Sequence, residues 1–281
     1  MIDNHGHIAI CEPRPDEIVE GYDPNQRFGG PHEKFLSLMD AVGVETAVLH
    51  CPRPWANRFY ARVVREHPGR FISVCRTDES RATTAEQCEV LRTCIEDLGF
   101  AGLYYDPGPG GTDASDNFYS EAYWPFWKLA VSLRIPVCLV SLRGNFETLW
   151  PNALKLLEKF PELPVVIVHG LYPACILQAD GSVVIPDSAR RLVRDYDVYL
   201  DLLAGLREGQ YGPKDESLKV MFDTFGPTKL MWGSEFTKVA TPTVEQYSYQ
   251  ARYVEQRCGY MSKDDLHLIH GGNARRVYGL A

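Results

Sequence analysis

Short runs dense in valine, isoleucine, leucine and aromatic residues recur along the whole chain, at 2–8, 45–51, 71–76, 100–106, 136–142, 165–170, 198–203 and 229–235. Their apolar positions are mostly continuous rather than alternating, the pattern of strands buried on both faces of a parallel sheet. The stretches between carry a helical period. Phe35, Leu38, Met39 and Val42 share one face, and Cys88, Leu91, Ile95 and Leu98 another. Leu149, Ala153, Leu156, Leu157 and Phe160 form a third stripe, and Val244, Tyr247, Ala251, Val254 and Cys258 a fourth. Pro31, Pro125 and Pro151 stand near three expected helix starts, where a missing N–H costs least.

Eight strand–helix alternations in 281 residues predict an α/β fold, a closed (β/α)8 TIM barrel rather than an open doubly wound sheet. No linker rich in Gly, Ser or Pro divides the chain, so a single domain over 1–281 is expected. Such a barrel builds its site at the C-terminal ends of its strands, which makes polar residues there the candidates. The segments 107–117 and 172–187 are long enough to cover the mouth.

Composition narrows the partners. Lys and Arg total 29 against 37 Asp and Glu, and 29 − 37 gives −8, a poor match to nucleic acid or an acidic membrane surface. A content of 45% hydrophobic and 23% charged residues is that of an ordinary folded domain. No apolar run approaches the ~18 residues of a spanning helix. The start, MIDNHGHIAI, lacks a basic region followed by a hydrophobic one, so a cytoplasmic location is expected. The eight cysteines include no CxxC pair, and Cys75 and Cys138 fall inside strand runs; they read as small buried hydrophobes.

Candidate chemistry gathers at strand ends. His5 and His7 lie two apart on the first strand, so both project toward the axis, where two imidazoles can grip one divalent cation; two satisfied polar histidines are the alternative. The sixth strand is apolar until His169, placed as a general acid or base, or else as a structural hydrogen-bonding residue. The eighth ends in Glu235, a metal ligand, a water-activating base, or a carboxylate bonding loop amides. His50, Arg76, Tyr105, Asp106, Ser141, Arg143, Tyr172 and Asp201 lie on or just after other strands and could touch substrate. Guanidinium groups suit carboxylates through paired hydrogen bonds, so Arg76 and Arg143 point to a small anionic substrate, with salt bridges to loop acids the alternative. Trp55, Tyr104 and Trp124 are assigned to core packing.

The ordered set of HxH, PVVIVHG, LMWGSE and the terminal HGGNARRVYGL resembles the amidohydrolase-related superfamily of barrel hydrolases and decarboxylases, over the whole chain. The resemblance implies that His5 and His7 are its paired metal ligands, His169 its later catalytic or metal-contacting histidine, and Glu235 its strand-eight acid. It also implies that residues 272–276 are structural. Glu235 stands where the family usually has aspartate, and Ser141 where its metal-dependent decarboxylases carry a third histidine. The implied cofactor is zinc or manganese on His5, His7, His169 and Glu235. The alternative is metal-independent chemistry, found in the lactonase branch that LKLLEKFPELPVVIVHG resembles more. The expected activity is lactonase-type hydrolysis of a small cyclic ester, with Glu235 deprotonating water and His169 protonating the departing alkoxide. Non-oxidative decarboxylation of an aromatic or enoic acid is the second expectation and an inactive binding barrel the third. Homodimers are common among similar proteins.

Overall fold

A computed structural model of the chain describes residues 1–11, 13–20, 22, 30–107, 117–142, 144–171, 176–178, 180–203, 215–236 and 243–280. Each of the eight apolar runs forms a strand: β1 (Ile2–Gly6), β2 (Thr46–His50), β3 (Phe71–Arg76), β4 (Gly102–Tyr105), β5 (Val137–Val140), β6 (Val165–Val168), β7 (Val198–Leu203) and β8 (Leu230–Gly233). They lie in sequence order in one sheet, each paired in parallel with the next. Helices fill the crossovers: α1 (His32–Val42), α2 (Asn57–Glu66), α3 (Ala85–Glu96), α4 (Trp124–Ser132), α5 (Phe146–Lys159), α6 (Asp187–Asp195), α7 (Asp215–Phe225) and α8 (Val244–Arg257). The result is a (β/α)8 barrel.

Side-chain alternation splits the core into two layers. Val48, Val74, Tyr104, Cys138, Val140, Val166, Val168, Tyr199 and Met231 fill the barrel. Their strand neighbours, among them Leu49, Cys75, Leu103, Leu139, Ile167 and Leu200, pack outward against the helices. This double burial explains why the strands read as continuous apolar runs. Cys51, Cys75, Cys94, Cys138 and Cys258 are buried free thiols, Cys88 is half-buried and Cys11 exposed. No helix among the described residues is long and apolar enough to cross a membrane.

Two helix expectations shift. Pro31 immediately precedes α1 and Pro125 lies in the first turn of α4, but Pro151 sits inside α5. The buried face of α5 begins with Phe146, Leu149 and Trp150, so burial carries the helix start past the proline. The missing N–H deprives the carbonyl of exposed Glu147, where water can substitute. In α8, Tyr247, Ala251 and Val254 are buried as expected, while Val244 in the first turn is 40% exposed.

Three devices position the ends of the barrel. The seam between β8 and β1 has no extended ladder; Gly6 and Phe236 form a single parallel bridge, with the His7 N–H donating to the Phe236 carbonyl. Beside it the Asp3 carboxylate accepts from the Ser234 N–H at 2.8 Å and from the Tyr247 hydroxyl of α8 at 2.9 Å. At the opposite end the chain continues through α9 (Lys263–His267) and a π turn, Leu268–Gly272, into α10 (Asn273–Tyr278). Ala274 and Tyr278 of α10 join the inner core, and the Asn273 amide donates to the carbonyls of Pro227 (2.7 Å) and Leu230 (2.8 Å) at the start of β8.

Candidate active site

The site begins with an irregularity in β1. Ile2 and Asp3 pair with Thr46 and Ala47, but Gly6 pairs with Leu49, so β1 carries one extra residue between Asp3 and Gly6. A bulge of this kind re-aims side chains. Ile2 lies in the inner core, Asp3 turns to β8 and α8, and His5 and His7 meet inside the barrel mouth. Gly6 accommodates the turn: a Cβ there would lie 2.6 Å from the Phe35 ring.

Each histidine of the mouth is oriented through one ring nitrogen. His7 Nδ1 donates to the His50 carbonyl at 2.7 Å, and His169 Nδ1 donates to the Ser141 carbonyl at 2.9 Å. A carbonyl only accepts, so Nε2 is the nitrogen each presents to the site. His5 Nδ1 meets Asp201 Oδ2 at 2.9 Å. The consequence is a contact of 3.1 Å between His5 Nε2 and His7 Nε2. Two imidazole nitrogens so placed take either one shared proton or one cation that draws on both lone pairs. His50 is turned the other way, Nε2 donating to the Asn4 carbonyl at 3.0 Å, and its ring stacks on His5 at 4.3 Å. Burial, then the neighbouring His7, holds the His50 imidazole well below its usual pKa, so it stays neutral.

Glu235 Oε1 faces His169 Nε2 at 3.4 Å. Both residues occupy the left-handed region, φ 64° at His169 and φ 52° at Glu235. Non-glycine residues hold such angles at a cost of order 1 kcal/mol or more, and they gather where a side chain must be aimed. Below them lie buried carboxyls. Burial pushes Asp3 up to about 6 despite its hydrogen bonds from Ser234 and Tyr247. Burial, then the nearby Asp3 charge, pushes Asp201 well above the carboxylate range.

The structure thus brings together His5, His7, His50, His169 and Glu235, and it adds Asp201 as a partner of His5. The others fall differently. Ser141 meets His169 through its carbonyl; its buried hydroxyl has no hydrogen-bond partner among the described residues. Arg76 is held by Glu79 at 2.5 Å and by Asp106 at 3.6 Å, the salt-bridged alternative. Tyr105 packs outward against Phe118, Phe126 and Trp127, whereas Tyr104 turns its ring to His7 and His50 and lies under the Arg76 guanidinium. Two consecutive tyrosines on one strand must face opposite ways, a signal that one of them reaches the axis. Arg143 and Tyr172 lie outside the described residues.

The donor set of imidazoles and a carboxylate suits a borderline divalent cation such as zinc or manganese. The converging His5 and His7 nitrogens fit as one half of its shell. Among the described residues no three ligating side chains form a ready-made cluster.

The chain is similar to known proteins over its whole length. A 2-keto-4-carboxy-3-hexenedioate hydratase of Sphingobium sp. (strain NBRC 103272 / SYK-6) is 33% identical over 338 residues, covering 99% of this chain and 96% of the relative. Among solved structures, a dihydroxybenzoic acid decarboxylase from Polaromonas sp. JS666 with bound manganese and the inhibitor 2-nitroresorcinol superposes with a TM-score of 0.69. It is 18% identical, over 99% of this chain and 96% of that one. A 4-oxalomesaconate hydratase from Rhodopseudomonas palustris gives a TM-score of 0.65 at 19% identity, over 99% and 95%. These two likenesses show the fold. The amidohydrolase family model matches residues 2–280, and with the whole-length relative it establishes that the chain belongs to the amidohydrolase family.

Proposed function

We propose that this chain is a cation-assisted hydratase that adds water across the carbon–carbon double bond of a small unsaturated carboxylic acid. The observation that carries the reading is the facing pair Glu235 and His169, 3.4 Å apart, beside the two converging nitrogens of His5 and His7. A zinc or manganese ion held by His5 and His7 would polarise a substrate oxygen and lower the pKa of water. Glu235 takes one proton from water as its oxygen bonds to one alkene carbon. His169, fixed by its Nδ1 bond to Ser141, delivers a proton from Nε2 to the neighbouring carbon. The proton then passes from Glu235 back to His169 across their contact. Hydrogen and hydroxyl are added and no fragment leaves. Neutral His50 and Tyr104 wall the space without adding charge.

The whole-length relative is named as a hydratase, which favours water addition over the cyclic-ester hydrolysis expected from the sequence. The same Glu235 would activate water for either. An anionic substrate end reaching Arg76 has to displace Glu79 or Asp106.

The test uses protein loaded with zinc or manganese and a panel of conjugated 2-oxo enoic dicarboxylates and tricarboxylates, lactones, and hydroxylated benzoates. Expected are loss of the conjugated absorbance, one solvent oxygen atom in the product, and abolition by chelator. Ring opening of lactones without enoic turnover would replace the proposal with a lactonase, and release of carbon dioxide with a decarboxylase.

A further inference from the structure

Resting on the reading of the mouth as a cation site, we infer that Asp201 is a positioning residue that fixes the His5 ring so that its Nε2 meets His7. Its carboxyl on β7 is buried. Oδ2 lies 2.9 Å from His5 Nδ1 on β1. Two glycines clear the space this requires. A Cβ on Gly233 of β8 would lie 2.6 Å from Asp201 Oδ1 and 2.8 Å from His5 Cβ, and one on Gly170 would lie 2.7 Å from the Asp201 carbonyl. Either added methyl would push the carboxyl or its strand away from the histidines.

The chemical consequence concerns which nitrogen of His5 meets His7. An acceptor at Nδ1 keeps that nitrogen protonated and turns Nε2 toward the site as the donor atom for a cation. Without it the ring is free to protonate Nε2 and to rotate.

Asp201→Asn keeps the volume and exchanges the carboxyl that meets His5 Nδ1 for an amide. Titration calorimetry with zinc or manganese alone should show affinity lowered about 10- to 100-fold in the variant. Affinity within twofold of wild type overturns the inference. A second measurement needs no variant: in wild-type protein without added cation, the long-range 1H–15N spectrum should show a proton on His5 Nδ1. A bare Nδ1, with the proton on Asp201, overturns the inference even where Asp201→Asn does not fold. Failure of wild type to bind either cation would instead sink the proposed function, and the spectrum would still decide the role of Asp201.

Discussion

Glu235 is one methylene longer than the aspartate usual at the end of strand eight, and its backbone turns left-handed at φ 52°. From that left-handed backbone its carboxylate meets His169 at 3.4 Å. Glu235→Gln preserves that reach but cannot accept a proton. It should lower kcat about 10²- to 10⁴-fold with an unchanged circular dichroism spectrum, and activity near wild type would remove Glu235 from the proton path. The same scale shows what could be read in advance. His5, His7, His169 and Glu235 were legible because each interrupts or ends an apolar run with a group too polar to bury without purpose. Tyr104 was not, since β4 is apolar on both faces and nothing in GLYY says which tyrosine looks inward. The carboxylate held at Arg76 comes from Glu79, whose approach depends on the loop after β3.

At the scale of the element, β1 does two jobs because of its bulge. Asp3 faces the seam and His5 the mouth, a division that plain alternation would not produce, since residues two apart would share a face. The apolar pattern located the strand but carried no sign of the extra residue. Asp3 also lends this element a pH dependence. Unfolded, it titrates near 3.8; folded, burial moves it to about 6. Between those values the native state holds a proton that the unfolded chain has released. Stability therefore falls as pH rises through the window and levels off above it, by about 3 kcal/mol at most. Asp3→Asn has no such proton. The stability of wild type relative to Asp3→Asn, from urea unfolding, should be greatest near about pH 4 and decline toward about pH 7. A difference independent of pH would show that Asp3 is not displaced from its unfolded value.

For the molecule as a whole, order and closure followed from continuous apolar runs, because strands covered on both sides leave no polar face to blur the period. Helix limits were less legible: the start of α5 is set by what Phe146 and Trp150 bury, not by Pro151. The terminal HGGNARR segment, which resembles its family without carrying chemistry, finds its purpose in α10 as the plug of the barrel floor. Asn273→Ala leaves the carbonyls of Pro227 and Leu230 without their donor and should destabilise the fold by about 1–3 kcal/mol in urea unfolding. Its kcat should stay within about twofold of wild type, because the substitution lies at the end remote from the mouth. A large fall in kcat at unchanged stability would contradict that assignment.

The seam of the barrel has a further bearing. Seven neighbouring strand pairs are laddered, while among the described residues β8 and β1 are joined by one bridge, the bonds to Asp3 and a bond from the Ser234 hydroxyl to the His5 carbonyl. The histidine pair stands on one lip of that join and Glu235 just past the other. Transient parting of the lips would therefore separate the reacting groups while the remaining ladders stay intact. Under mild heat or denaturant this protein should fall silent before it melts, its turnover serving as a gauge of one joint rather than of the whole fold.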